Sequence, residues 1–235
     1  MKLNINKKQT LFYIALLLPV TIYAQKDNSA RYYVGVSYGR SLAVGDFKDN
    51  DLSNPDAGFA ENGNKFDVYF GFQYQPRITL TGAFRFQNFD ADISNIQSEL
   101  EAINPDETFS SNTENWKVYY ALVGFEYQVN ITKKMDIFPK FGLGPMFITT
   151  PGFEIASSSQ FISRSSETGS GLGYEFGIGL KTDLGRHLAL MPSFTFSGGI
   201  ATIEQTTNTN NVIAVADFQP KVTTFNLGLS FAYKF

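Results

Sequence analysis

Few side chains in this sequence could do chemistry, and they are far apart. His187 is the only histidine, it follows Arg186, and there is no cysteine in 235 residues. Thiol nucleophiles, disulfides, a lipid-anchoring cysteine and cysteine–histidine metal clusters are therefore excluded. A histidine with a hydroxyl or carboxylate partner can run acyl transfer. His187 instead follows Gly185-Arg186 between two apolar segments and reads as a solvated turn residue. The run Asp49-Asn50-Asp51-Leu52-Ser53-Asn54 has some of the oxygen spacing of a calcium loop. Asn54 stands where the turn glycine belongs and Glu61 is out of register for the last ligand, so a solvated acidic loop is expected. No catalytic, cofactor-binding or metal-binding residue is expected. What remains is five charges, Arg85, Glu126, Lys140, Glu175 and Lys181, each set in an otherwise apolar and small-residue segment.

The segments that carry those charges alternate with period two. Residues 223–235 show it best: Phe225, Leu227, Leu229, Phe231, Tyr233 and Phe235 share one parity, and Thr224, Asn226, Gly228, Ser230, Ala232 and Lys234 the other. Successive strand side chains point to opposite faces, so this is a strand with one greasy face. Seven earlier segments repeat it, at about 32–39, 65–74, 78–87, 119–129, 140–147, 172–181 and 188–197. In the fourth, Tyr120 and Leu122 make the polar parity less polar than the rule asks. Joins after the second, fourth and sixth segments are short, and those after the first, third, fifth and seventh are long. Alternating short and long joins fit an antiparallel up-and-down arrangement with all long loops at one end.

Volume decides which face points where. A soluble eight-stranded barrel would also have one apolar and one polar face, but its interior holds only one filling of side chains. About forty large apolar residues share the greasy parity, too many for that space. The other parity is rich in glycine, serine and threonine, which suits a narrow lumen and not a soluble surface. Charged residues are 17% against roughly 25% in ordinary soluble chains, and aromatics are 15%. The greasy face is therefore expected to meet lipid. Tyr32, Tyr74, Tyr127 and Tyr233 near one end, and Tyr38, Trp116, Tyr119 and Tyr174 near the other, read as two interfacial girdles.

Residues 1–24 read as a secretory signal peptide: Lys2, Lys7 and Lys8, then an apolar run from Leu11 to Val20, then Ala24 at the cut. The run is short of the ~20 residues a membrane-spanning helix needs. Residues 25–30 follow as a short periplasmic segment and 31–235 as the barrel.

On this pattern, residues 31–235 resemble the small eight-stranded outer-membrane β-barrel families of the OmpX and OmpA-barrel type and their PorT-like relatives. The resemblance implies an all-β, eight-stranded antiparallel up-and-down transmembrane barrel with long extracellular loops in a Gram-negative outer membrane. It implies outer-membrane lipid and the barrel-assembly machinery as partners, and Phe231, Tyr233 and Phe235 as the terminal assembly signal. Sixteen of the 22 acidic residues fall in the long loops, which argues against nucleic acid as a partner.

The five lumen charges cannot face lipid, so they must pair with one another or with lumen water. They could line a small passive pore or form a structural ionic plug, and the narrow lumen favours the plug. Lys65 and Asp67 are expected at the outer rim. In the second long loop Ile93, Ile96, Leu100 and Ile103 recur at helical spacing between Asp92 and Pro105. Such a stripe would cover the barrel mouth or dock a protein partner. Residues 201–206 and 212–218 read as a hairpin rising beyond the membrane. The function expected is structural, surface-interaction or complex-subunit, with a pore or a lipid-modifying enzyme as rivals.

Overall fold

A computed structural model describes residues 31–210 and 212–235. The expected signal peptide and the 25–30 segment lie outside the described residues.

Among the described residues, thirteen strands and one α-helix follow in order: β1 (Tyr32–Ala43), β2 (Ala60–Gln75), β3 (Ile78–Ala91), α1 (Ser94–Ile103), β4 (Ser110–Thr113), β5 (Trp116–Tyr127), β6 (Val129–Thr132), β7 (Met135–Thr149), β8 (Phe153–Ala156), β9 (Phe161–Arg164), β10 (Thr168–Asp183), β11 (Leu188–Thr209), β12 (Val212–Phe218) and β13 (Lys221–Lys234). Eight of them, β1, β2, β3, β5, β7, β10, β11 and β13, pair antiparallel in that order. β13 pairs back onto β1, closing the ring. Closure leaves no barrel edge, so the strands satisfy one another's backbone groups in hydrocarbon, with breaks in the β5–β7 and β10–β11 ladders beside Pro145 and Pro192. Following the registers once around from Tyr33, through Gly71, Thr81, Gly124, Gly142, Glu175, Ser197 and Thr224, returns to β1 at Ala43. The stagger is ten residues (43 − 33), which requires strands tilted by roughly 40°.

The alternation becomes an inside and an outside. On β1, Val34, Val36 and Tyr38 are exposed on the outer wall while Ser37 and Ser41 are buried in the lumen. Phe66, Phe70, Phe84, Phe125, Phe176, Phe194 and Phe231 stand on the outer wall of other strands. This apolar belt is built for lipid.

Most strands run past their predicted ends on the long-loop side. The join after β5 is also not a plain turn, because β6 folds back on β7, pairing Val129 with Ile137 and Asn130 with Asp136.

Above the membrane the loops build a second sheet in the order β4-β8-β9-β11-β12, using the outer part of β11. The anticipated hairpin is there, Ile203 pairing with Phe218 and Thr209 with Val212. Asn210 turns it with φ +49°, a left-handed conformation that asparagine tolerates better than most residues.

Candidate functional site

The lumen is filled in layers. Nearest the short turns, Tyr33, Phe138, Ala189, Met191 and Ala232 pack together, with Tyr69 against them. Above them lie the charges. Lys65 Nζ is 2.6 Å from Asp67 Oδ2, and Arg85 Nε is 2.7 Å from Asp67 Oδ1. Arg85 Nη2 also pairs with Glu175, whose other oxygen is 2.7 Å from Lys140 Nζ. Five charges thus alternate in sign along one chain of contacts. Glu126 accepts a hydrogen bond from Tyr33 Oη at 2.7 Å and stands opposite Lys140 in the β5–β7 ladder. Three cations and three carboxylates share the interior, so the layer is neutral overall.

A polar tier follows. Gln87 donates to Ser41 Oγ at 2.8 Å and to Asn226 Oδ1 at 2.7 Å, and Asn226 Nδ2 donates to Ser197 Oγ at 2.8 Å. The mouth is apolar again, with Phe47, Phe89, Trp116, Val118, Tyr120, Leu122, Met146 and Ile148 in one buried cluster. The charged tier encloses a cavity of about 50 Å³, room for a few waters.

Of the five predicted lumen charges, Arg85, Lys140 and Glu175 come together in the chain, and Glu126 lies beside it. Lys181 does not join them. It faces Asp136 at 3.8 Å near the short turns, in a separate pair. Lys65 and Asp67, expected at the rim, are instead buried members of the chain, 1% and 4% exposed. The reason is the stagger: the ladder climbs as it runs from β1 towards β13, so depth cannot be counted along one strand alone.

Trp116 is a second correction. It shares the inward parity of Val118 and Tyr120, is fully buried, and donates from Nε1 to Gly58 O at 2.9 Å. It closes the mouth and is not part of the lipid girdle. Tyr120 and Leu122, which broke the polar rule, lie in the same cluster.

In the cap, α1 forms where the stripe predicted it, and the Asp92 carboxylate accepts the Ser94 N–H at 3.0 Å. Ile93 is buried with Phe109 and Ile155, and Ile96, Leu100 and Phe153 pack against them. Ile103 is 69% exposed and lies outside that cluster. Glu107 ties the β8–β9 hairpin down by accepting hydrogen bonds from the Ser157 and Ser159 hydroxyls, which hold its carboxyl below the usual range. The sequence shows the β11–β12 hairpin of this sheet but not its other strands, because β4 is the wholly polar Ser110-Ser111-Asn112-Thr113 and β8 and β9 have four residues each.

His187 stacks on Tyr233, ring centroids 5.6 Å apart, with Nδ1 3.1 Å from Lys234 O. Neither contact is a hydroxyl or carboxylate that the ring could activate. In the first loop Asp49 spends its carboxylate on the Asp51 N–H at 3.1 Å and the Asn54 Nδ2 at 2.7 Å, which lower its pKa. Phe231 and Tyr233 lie on the outer wall of the last strand, and Phe235 donates its N–H to Tyr32 O at 2.9 Å.

A closed, staggered ring of tilted strands, apolar outside and packed inside, with its long loops at one end, defines a transmembrane β-barrel of the outer-membrane kind. The chain belongs to the family described as the outer membrane protein beta-barrel domain, which matches residues 12–235. Similar solved structures include a major outer membrane protein from Thermus thermophilus, at 14% identity over 87% of this chain and 99% of that one, TM-score 0.51. Ail, the attachment invasion locus protein of Yersinia pestis, matches at 14% identity over 88% and 99%, TM-score 0.47. OprG from Pseudomonas aeruginosa matches at 13% over 88% and 97%, TM-score 0.45. No curated protein sequence matches the chain.

Proposed function

We propose that this protein is a non-conducting outer-membrane barrel of a Gram-negative bacterium, exported by a signal peptide, whose work is done by its extracellular cap as a surface-interaction or complex-subunit protein. The observation that carries this reading is the division of the molecule. Inside, an ion-paired tier lies between two apolar layers, leaving no wet path of ordinary width. Outside, three long loops and the top of β11 are folded into a sheet backed by a helix, far more than four connections need.

β12 supports a protein partner. Among the described residues it pairs with β11 alone, and Val212, Ile213 and Val215 are 70, 67 and 54% exposed. An unpaired edge with apolar side chains is a template for a strand of another protein. The acidic loops disfavour nucleic acid. Lipid-modifying catalysis finds little support in a lone histidine stacked on a tyrosine ring. Outer-membrane lipid and the assembly machinery are the partners that insertion itself requires.

Two measurements test the reading. In planar bilayers the purified barrel is expected to give no stable conductance, and large steady single-channel steps would refute a closed lumen. Mild detergent extraction from native membranes is expected to recover a partner protein that is lost when residues 204–217 are trimmed. Recovery unchanged by trimming would refute the role given to the hairpin.

A further inference from the structure

The inner face of the cap sheet carries a cation that the rest of the fold does not explain. Opposed residues of an antiparallel ladder share a face. Phe153, Arg164, Thr207 and Ala214 are opposed in turn across β8, β9, β11 and β12. Arg164 therefore sits near the middle of the sheet, on the face turned towards the first loop and α1. Its guanidinium carbon is 5.4 Å from the Phe153 ring centroid and 5.6 Å from that of Phe218, held between two aromatic rings.

Among the described residues no carboxylate lies within ion-pair distance of Arg164, and its buried Nε has no hydrogen-bond partner. Burial alone pulls its pKa down, to about 10, so the group is still charged at neutral pH. A half-buried cation without an anion costs stability that two ring faces only partly return. Beside it Gln205, 7% exposed, donates from Nε2 to Ser165 O at 2.8 Å and leaves its Oε1 buried and unpartnered.

Both side chains line one cavity of about 390 Å³. Leu52, Pro55, Ile96, Ala214 and Ala216 form much of its remaining wall, and the two alanines leave the space over Arg164 open. Leu52 is 42% exposed, so the cavity reaches the surface. Asp217 is also at the wall but is exposed and makes no ion pair with Arg164. An apolar pocket of a few hundred Å³ with a small set of convergent polar groups is the usual form of a small-molecule site.

We infer that this cavity is an extracellular binding site for a small carboxylate with an apolar body, its carboxylate paired with Arg164 between Phe153 and Phe218 and its body against Leu52, Ile96 and the two alanines. A guanidinium presents a planar fork that matches a carboxylate, and Gln205 Oε1 is placed to accept from a hydroxyl or amine nearby. A cavity of this size can enclose a whole aryl-acetic or short aliphatic acid. β12 supplies one wall of this site through Ala214 and Ala216, but the acid is recognised by Arg164 and not by the open edge of that strand.

Fluorine NMR titration of para-fluorophenylacetate into the whole protein in lipid nanodiscs tests this, with para-fluorophenylethanol as the neutral counterpart and empty nanodiscs as the blank. The acid is expected to bind the protein, and the alcohol much more weakly. Arg164→Met, which keeps the stem and removes the charge, should weaken the acid by about tenfold or more and leave the alcohol unchanged. Ala214→Leu fills the cavity without touching the cation and should weaken both probes, so it decides the matter if Arg164→Met disturbs the cap. No binding of the acid by the wild-type protein, equal binding of acid and alcohol, or acid binding untouched by either substitution would overturn the assignment.

Discussion

Arg85 is the group on which the lumen chain turns, and Arg85→Met is the sharpest test of it. Its guanidinium, 3% exposed, meets both Asp67 and Glu175, each of which also holds a lysine. Methionine keeps the stem and deletes the charge, leaving two cations among three carboxylates in a closed interior. Removing one partner of a buried ion pair costs about 3–5 kcal/mol, because the anions left behind stay desolvated. The loss should appear in urea unfolding of the barrel in lipid vesicles, followed by the fluorescence of Trp116, the single tryptophan. The double variant Arg85→Met/Glu175→Gln restores balance, since Lys65 keeps Asp67 and Lys140 faces Glu126 across the ladder. It should therefore be less damaged than the sum of its parts, by roughly 1–3 kcal/mol of coupling. A single variant within about 1 kcal/mol of wild type, or strict additivity in the double, would refute the idea that these charges hold one another in place.

Three further outcomes follow from the same geometry. A Cβ added at Gly179 would fall 2.2 Å from the Phe138 ring, so Gly179→Ala should cost about 1–3 kcal/mol in the same unfolding assay. Phe138→Leu should recover part of that loss, and no recovery would mean the ring is not the obstacle. Deleting Phe235 removes the N–H bonded to Tyr32 O and should slow insertion into vesicles, whereas heat-modifiable barrel at wild-type yield would count against a closure role. Glu107 is depressed below its ordinary 4.5 by the Ser157 and Ser159 hydroxyls, so its contribution to docking the β8–β9 hairpin is complete above pH 4.5. That contribution is lost as pH falls through the lower folded value. Protease nicking of the hairpin should rise over that range, and Glu107→Gln should remove the pH dependence.

The sequence showed the barrel so plainly because lipid enforces its pattern. Every second residue from Phe225 to Phe231 must be apolar where hydrocarbon replaces water, and closure forbids an unpaired strand, so period, count and join lengths all survive in the residues. Depth inside the lumen leaves no such trace. Asp67 meets Arg85 because β2 and β3 pair there, and Glu175 arrives at the same level from β10 only because the ladder climbs ten residues in one circuit. Lys65 counted along its own strand looks like a rim residue, and Lys181 looks like a member of the chain. Residue type and parity were readable, and register was not.

Of the cap, the helix and the β11–β12 hairpin were legible, but β4, β8 and β9 were not, for a different reason. Its strands pair outside the membrane, where water can serve either face, so Ser110–Thr113 needs no alternation to be a strand. What holds such a sheet is a few internal anchors: α1 on Ile155 and Phe153, Glu107 on the serines of the β8–β9 hairpin, Trp116 on Gly58. None is required for a barrel to insert, since lipid contact and closure do that work below. The anchors fix the inner face of the sheet over the mouth, and with it Arg164 and the open side of the 390 Å³ cavity. A loop that only joined two strands would gain nothing from a cation enclosed by rings without a carboxylate. Its position in the cap, outside the lipid-facing wall, agrees with the proposed reading, in which the extracellular face and not the lumen makes the protein's contacts.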